Sequence, residues 1–126
     1  MLDQTFALIL LVSTFISVGQ TTCQRKPSQQ ILQKIEFDHQ AIDANGKHQG
    51  VSVDYEFCIP REQKNIDEVK AIEPEVLISQ TSQGRIRCSR AEYLCIVSTR
   101  DATWKEKLFR IAALDYVKRM IRTYYE

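Results

Sequence analysis

A chain of 126 residues and 14.6 kDa, 44% hydrophobic and 26% charged, has the make-up of one ordinary globular domain. That excludes a fully disordered chain, a fibre and a multi-span membrane protein. The formal charge of +1 is too small for a field that gathers nucleic acid, and four cysteines, two histidines and one tryptophan leave few groups for metal or nucleophile chemistry.

The chain opens on an apolar run, FALILLVSTFISV from Phe6 to Val18. It is shorter than the roughly 20 residues a bilayer span needs and matches the apolar core of a signal peptide. Ser17 and Gly19 are small residues at the spacing a signal peptidase reads, so residues 1–19 are expected to be removed, leaving Gln20 first. The leader departs from the usual pattern in carrying Asp3 and no Lys or Arg. A retained anchor or buried helix is the competing reading. Lipid attachment at Cys23 is disfavoured by the preceding Gln20, Thr21 and Thr22. Cleavage removes one of sixteen acids and none of seventeen bases, raising the formal charge from +1 to +2. The expected location is secreted or periplasmic, with no stable membrane insertion after cleavage.

Residues 20–50 read as a polar N-terminal arm, partly flexible, with seven glutamines and both histidines. Ile31, Leu32 and Ile35 would share a helix face, whereas Ile35, Phe37 and Ala41 suit a strand, and the pattern leaves both open. Asp43-Ala44-Asn45-Gly46 is a turn signal; it lacks the alternate oxygen ligands and closing acid of a calcium loop.

From Val51 the pattern sharpens. Val51, Val53, Tyr55, Phe57 and Ile59 alternate with polar residues and Cys58, the period of a half-buried strand, which Pro60 stops. Ile66, Val69 and Ile72 mark a short amphipathic helix that Pro74 ends. EVLISQT (75–81) is a second strand, Ser82-Gln83-Gly84 a turn, and YLCIVST (93–99) a third strand. Thr103-Trp104-Lys105-Glu106 fits a capping box for a helix whose inner face carries Trp104, Leu108, Ile111 and Ala112. The tail YVKRMIRTYYE reads as a last strand, with a continued helix as competitor.

The resulting βαββαβ order over residues 51–126 resembles the ferredoxin-like, split-βαβ fold, and LDYVKRMI (114–121) resembles the passage from second helix to last strand in such domains. The resemblance implies an α+β domain, with a four-stranded antiparallel sheet in the order 4-1-3-2, two helices on one face and the other face open. It also implies that Cys58, Cys88 and Cys95 fall near one edge of the sheet, within reach of one another.

Four cysteines in a short exported chain favour disulfides, so Cys23, Cys58, Cys88 and Cys95 are the candidates. The preferred pattern is one bridge among Cys58, Cys88 and Cys95, with the leftover thiol pairing to Cys23. A thiolate metal site completed by His39 or His48 is the alternative, weakened by the absence of any C-x-x-C pair. Similar metal-carrying domains place two cysteines after the first strand, and here Cys58 stands alone. No metal and no cofactor are expected.

Arg85, Arg87 and Arg90 surround Cys88, and Lys118, Arg119 and Arg122 stud the last strand. Most such charges simply solvate a face, but Arg85, Arg87, Arg90, Tyr124 and Tyr125 are the residues to which a partner would bind. RNA-recognition domains of this topology stack bases on aromatics of the first and third strands, and Tyr93 alone fills that role here, so no nucleic-acid partner is expected. Neither histidine sits in a nucleophile motif, and no glycine-rich phosphate loop exists. The topology also resembles propeptide-type inhibitors of subtilisin-like proteases, which fill a cleft with a C-terminal tail; here only Thr123-Tyr124-Tyr125-Glu126 could do so. The expected protein is therefore a small exported, disulfide-stabilised, non-enzymatic binding domain for a protein or polyanion. A tail-acting protease inhibitor and a thiolate metal binder are the alternatives.

Overall fold

A computed structural model describes residues 26–125; the leader, its cleavage point and Cys23 lie outside them. Helix α1 (Gln29–Lys34) leads through a 3-10 turn (His39–Ala41) into a short ribbon, β1 (Lys47–His48) and β2 (Val51–Ser52). Then come β3 (Asp54–Pro60), α2 (Gln63–Ile72), β4 (Leu77–Ser79), β5 (Glu92–Ser98), α3 (Trp104–Ala112) and β6 (Met120–Thr123). The domain is mixed α+β. Its main sheet has four strands in the order β4-β5-β3-β6, each neighbouring pair antiparallel.

The alternation seen in the sequence decides which side of β3 is which. Tyr55, Phe57 and Ile59 are fully buried and join one core cluster with Val97, with Val69 and Ile72 of α2, and with Trp104, Leu108 and Ile111 of α3. Burying one such side chain contributes about 1.5–3 kcal/mol, so this cluster outweighs any single polar contact in the domain. Cys58, Leu94, Ile96 and Ile121 form a smaller cluster with Ile86 and Cys88.

Residues 29–50 are more integrated than their polar composition suggests. Ile35 and Ile42 are buried in the main core. Ile35 makes a parallel bridge to Met120, and the Glu36 amide donates to the Met120 carbonyl at 2.8 Å, which covers part of the β6 edge. The Lys34 ammonium donates to the carbonyls of Ala112 (2.8 Å) and Leu114 (3.1 Å), capping the negative end of α3. Val51 lies in the β1–β2 hairpin, whose tight turn uses Gln49 and Gly50 at positive φ. The segment combines these hydrogen bonds with the burial of Ile35 and Ile42.

Asp43 Oδ1 accepts from the amides of Asn45 and Lys47, both at 2.9 Å, and the Trp104 indole donates to the Asp43 carbonyl at 3.0 Å. Gly46 has φ +77°, and a Cβ there would sit 1.5 Å from the Thr99 carbonyl oxygen. Thr99, fully buried, donates to the Gly46 carbonyl at 2.6 Å and accepts from the Val53 amide at 3.0 Å. That side-chain bond marks the break between β2 and β3.

Two local expectations are corrected. The capping box at Thr103 does not form, because Asp101 takes its place: Asp101 Oδ1 accepts from the Thr103 amide (2.7 Å) and hydroxyl (2.5 Å). A carboxylate is the stronger acceptor, so the threonine becomes a donor. The last strand is only Met120–Thr123, since the Asp115–Arg119 passage is irregular around the buried Val117.

Candidate functional site

The expected bridge among Cys58, Cys88 and Cys95 forms between Cys58 and Cys88, with 5.5 Å between their Cα atoms, but Cys95 does not gather with them. Cys95 lies opposite Phe57 in the β3–β5 register, and Cys58 lies opposite Leu94. Successive residues of a strand face opposite sides, so Cys95 shares the main-core side with Phe57 while the disulfide sits on the other. Cys95 is a fully buried free thiol, and burial pushes its pKa up to about 12. A bridge from Cys95 to Cys23 would require pulling it out of the core. The thiolate metal site is overturned by the same geometry: two sulfurs are joined to each other and the third is across the sheet. Among the described residues no cluster of His, Cys, Asp or Glu is placed to hold a metal ion.

The disulfide anchors a loop against the second sheet face. Beneath that loop lies Glu56, 2% exposed although its place in the alternation reads as solvent-facing. Glu56 Oε1 accepts from the Ile86 amide at 2.7 Å, and Oε2 accepts from the Thr123 hydroxyl at 2.9 Å. Gly84, at φ +65°, allows the close approach: an added Cβ would lie 2.9 Å from Glu56 Oε1. The face expected to be open is therefore partly covered.

Beside the end of β6 runs a groove of about 480 Å³. Its apolar lining comes from Phe37, Ile42, Val53 and Ile121, and Glu36, Asp38, Arg85, Arg122, His48 and Tyr124 complete it. The Arg122 guanidinium lies 5.0 Å from the Tyr124 ring centroid and its Nη1 is 3.1 Å from His48 Nδ1. Guanidinium has no acceptor, so Nδ1 accepts this hydrogen bond. Arg122 is half-buried and makes no ion pair among the described residues. Glu36, by contrast, is paired with Arg119. The arrangement sets a guanidinium beside apolar side chains, a combination that can hold an anion with an apolar part.

Of the residues singled out for partner binding, the structure brings Arg85 and Tyr124 into this groove. Arg87 and Arg90 are exposed and do not line it, and Tyr125 donates to Asp54 Oδ2 at 2.6 Å. His48 and Arg122 were missed as a pair. Their separation of 74 residues hides the contact, and the only available signal was a histidine beside the Gln49-Gly50 turn.

A second hollow of about 290 Å³ is edged by Asp54, Glu73, Glu75 and Asp101 with Leu77 and Arg100. Its carboxylates are largely engaged: the Lys107 ammonium lies 2.9 Å from Glu73 and 2.6 Å from Asp101. Hydrogen bonds from Lys107 and Thr103 hold the Asp101 carboxyl down at about 2. The buried Tyr55 hydroxyl has no hydrogen-bond partner among the described residues, and burial, with Glu73 and Asp101 nearby, raises its pKa.

No protein-family model matches the chain, and no curated protein or solved structure does either. The disulfide suits an oxidising compartment. No helix among the described residues is long and apolar enough to cross a membrane.

Proposed function

We propose that this chain is a small exported, disulfide-stabilised, non-enzymatic domain that binds an anionic ligand in the groove beside β6. One observation carries the reading: a half-buried Arg122 that makes no ion pair among the described residues, held by His48 and Tyr124 in a groove with an apolar part to its lining. A partly desolvated guanidinium gains from a ligand that supplies the opposite charge.

The ferredoxin-like arrangement belongs to the same proposal. The strand order supports it, as do α2 and α3 burying their apolar residues in one cluster with the same face of β3. Export is supported by the apolar leader at 6–18 and by the Cys58–Cys88 bridge. An enzyme is not proposed, because the groove pairs no nucleophile with a base.

The test is a titration of ¹⁵N-labelled protein with a panel of small organic carboxylates, phosphates and sulfates, followed by amide shifts. Saturable changes at Ile42, Val53, Ile121 and Arg122 support the reading. Changes confined to Arg87 and Arg90, or no saturable change with any anion, contradict it.

A further inference from the structure

We propose that the groove's ligand is a small organic acid, one carboxylate on an apolar alkyl or aryl body, gripped by Arg122. This rests on the anion-binding reading above and specifies its ligand. The volume of about 480 Å³ lies within the roughly 300–1,000 Å³ of small-molecule sites, not the broad patch a protein partner needs. The planar guanidinium fork matches a carboxylate with two parallel N–H donors. His48 occupies one Nη1 hydrogen bond and Tyr124 lies against the guanidinium, so its orientation is set before a ligand arrives. Pre-orientation of this kind lowers the ordering cost of binding.

Charge decides between anions. Arg122 offers one positive charge with no ion-pair partner among the described residues, while Arg85, Asp38 and Glu36, the last paired with Arg119, also line the groove. A monocarboxylate matches that one charge, whereas a polyanion would extend its further charges towards Asp38. Half-buried Phe37 and Ile121, backed by the buried Ile42 and Val53, supply the apolar contact that a bare acetate or chloride cannot use. The ligand's acid end therefore faces Arg122 and its body covers the apolar lining. His48 is a positioning residue, since it acts on the ligand through Arg122.

The experiment is calorimetry with parallel ¹⁵N shift mapping on the folded, oxidised protein. The probes are octanoate, 3-phenylpropionate, octanol, acetate and octyl phosphate. Octanoate or 3-phenylpropionate is expected to bind saturably at the groove and more tightly than the other three, the first reporting a chain-like body and the second a ring. R122Q is expected to weaken that binding at least about tenfold, equivalent to about 1.4 kcal/mol. R122K, which keeps the charge and loses the fork, is expected to fall between. H48A is expected to weaken binding several-fold, and H48N, whose amide oxygen stands near the place of Nδ1 and can accept the same hydrogen bond, to restore it. Unchanged affinity in a folded R122Q, or octanol binding as well as octanoate, overturns the proposal. Octyl phosphate binding more tightly than both acids overturns the carboxylate assignment while leaving the anion-binding groove standing. Silence of the groove amides towards every anion removes both.

Discussion

Replacing Cys58 and Cys88 together by alanine tests how much of this small domain's stability comes from its cross-link. The bridge joins residues separated by 30 positions. Loop-closure entropy for that length is about 12 cal/mol/K, or about 3.6 kcal/mol at 25 °C, removed from the unfolded chain by the bond. Globular domains are stable by only about 5–15 kcal/mol in total, so the loss would be a large share. Alanine is the appropriate replacement, because the sulfurs pack with Ile86 and Leu94 and a serine hydroxyl would add an unsatisfied group. Urea unfolding of C58A/C88A is expected to show a loss of about 3–4 kcal/mol, with a steeper denaturant dependence because the uncrosslinked chain exposes more surface. Hydrogen exchange at the Ile86 amide, bonded to Glu56 under the same loop, should accelerate more than at Phe57. A loss below about 1 kcal/mol would refute the reasoning that this bridge is a principal restraint on the unfolded chain.

Four further outcomes are expected. G46A should cost more than about 2 kcal/mol by thermal or urea unfolding, because the turn needs φ +77° and the new Cβ would collide with the Thr99 carbonyl. K34M should cost about 1–2 kcal/mol by removing two charge-assisted hydrogen bonds at the end of α3, measured by urea midpoint. Asp101 has a folded pKa of about 2 against an ordinary 3.8, so its stabilisation is present above pH 4 and disappears as pH falls towards 2. D101N should remove that acid-dependent step, which is no more than about 1 kcal/mol because the carboxylate is largely exposed. Cys95, at about 12 folded against an ordinary 9.0, stabilises fully below pH 9, and that contribution is lost as pH rises through 9 to 12. Peptide mapping after iodoacetamide should find Cys95 modified only in denaturant, and C95A should lack the alkaline step.

The sheet and its two long helices were legible because each element carries its own period. Tyr55, Phe57 and Ile59 alternate, and Trp104, Leu108 and Ile111 recur on one helical face, so local pattern and tertiary burial agree. Glu56 broke the pattern. Its alternation points it away from the helix-covered core, but the disulfide-anchored loop buries it, and a loop's path is not written in a strand's period. Cys95 was misplaced for want of register: a shift of one residue exchanges the two faces, and only the pairing of Phe57 with Cys95 settles which side the thiol takes. At Thr103 the local motif was present, but Asp101, two residues upstream, was the stronger acceptor.

The groove was legible only in fragments. Arg85 and Tyr124 were candidates by residue type, whereas Arg122 looked like one of several solvated charges on the last strand. Its partner His48 comes from a hairpin within a segment whose glutamines suggested a loose arm. What ties that hairpin down is a set of long-range contacts, Thr99 to Gly46 and Trp104 to Asp43, which no local window contains.

The most direct measurement of the central claim is a set of intermolecular nuclear Overhauser effects between octanoate and the methyl-labelled protein. Contacts from the ligand chain to the methyl groups of Ile42, Val53 and Ile121, lost in R122Q, are the expected result. Contacts confined to Leu77 by the second hollow, or none at concentrations that saturate the shifts, would contradict a groove that holds an acid by Arg122 and its body by the apolar lining.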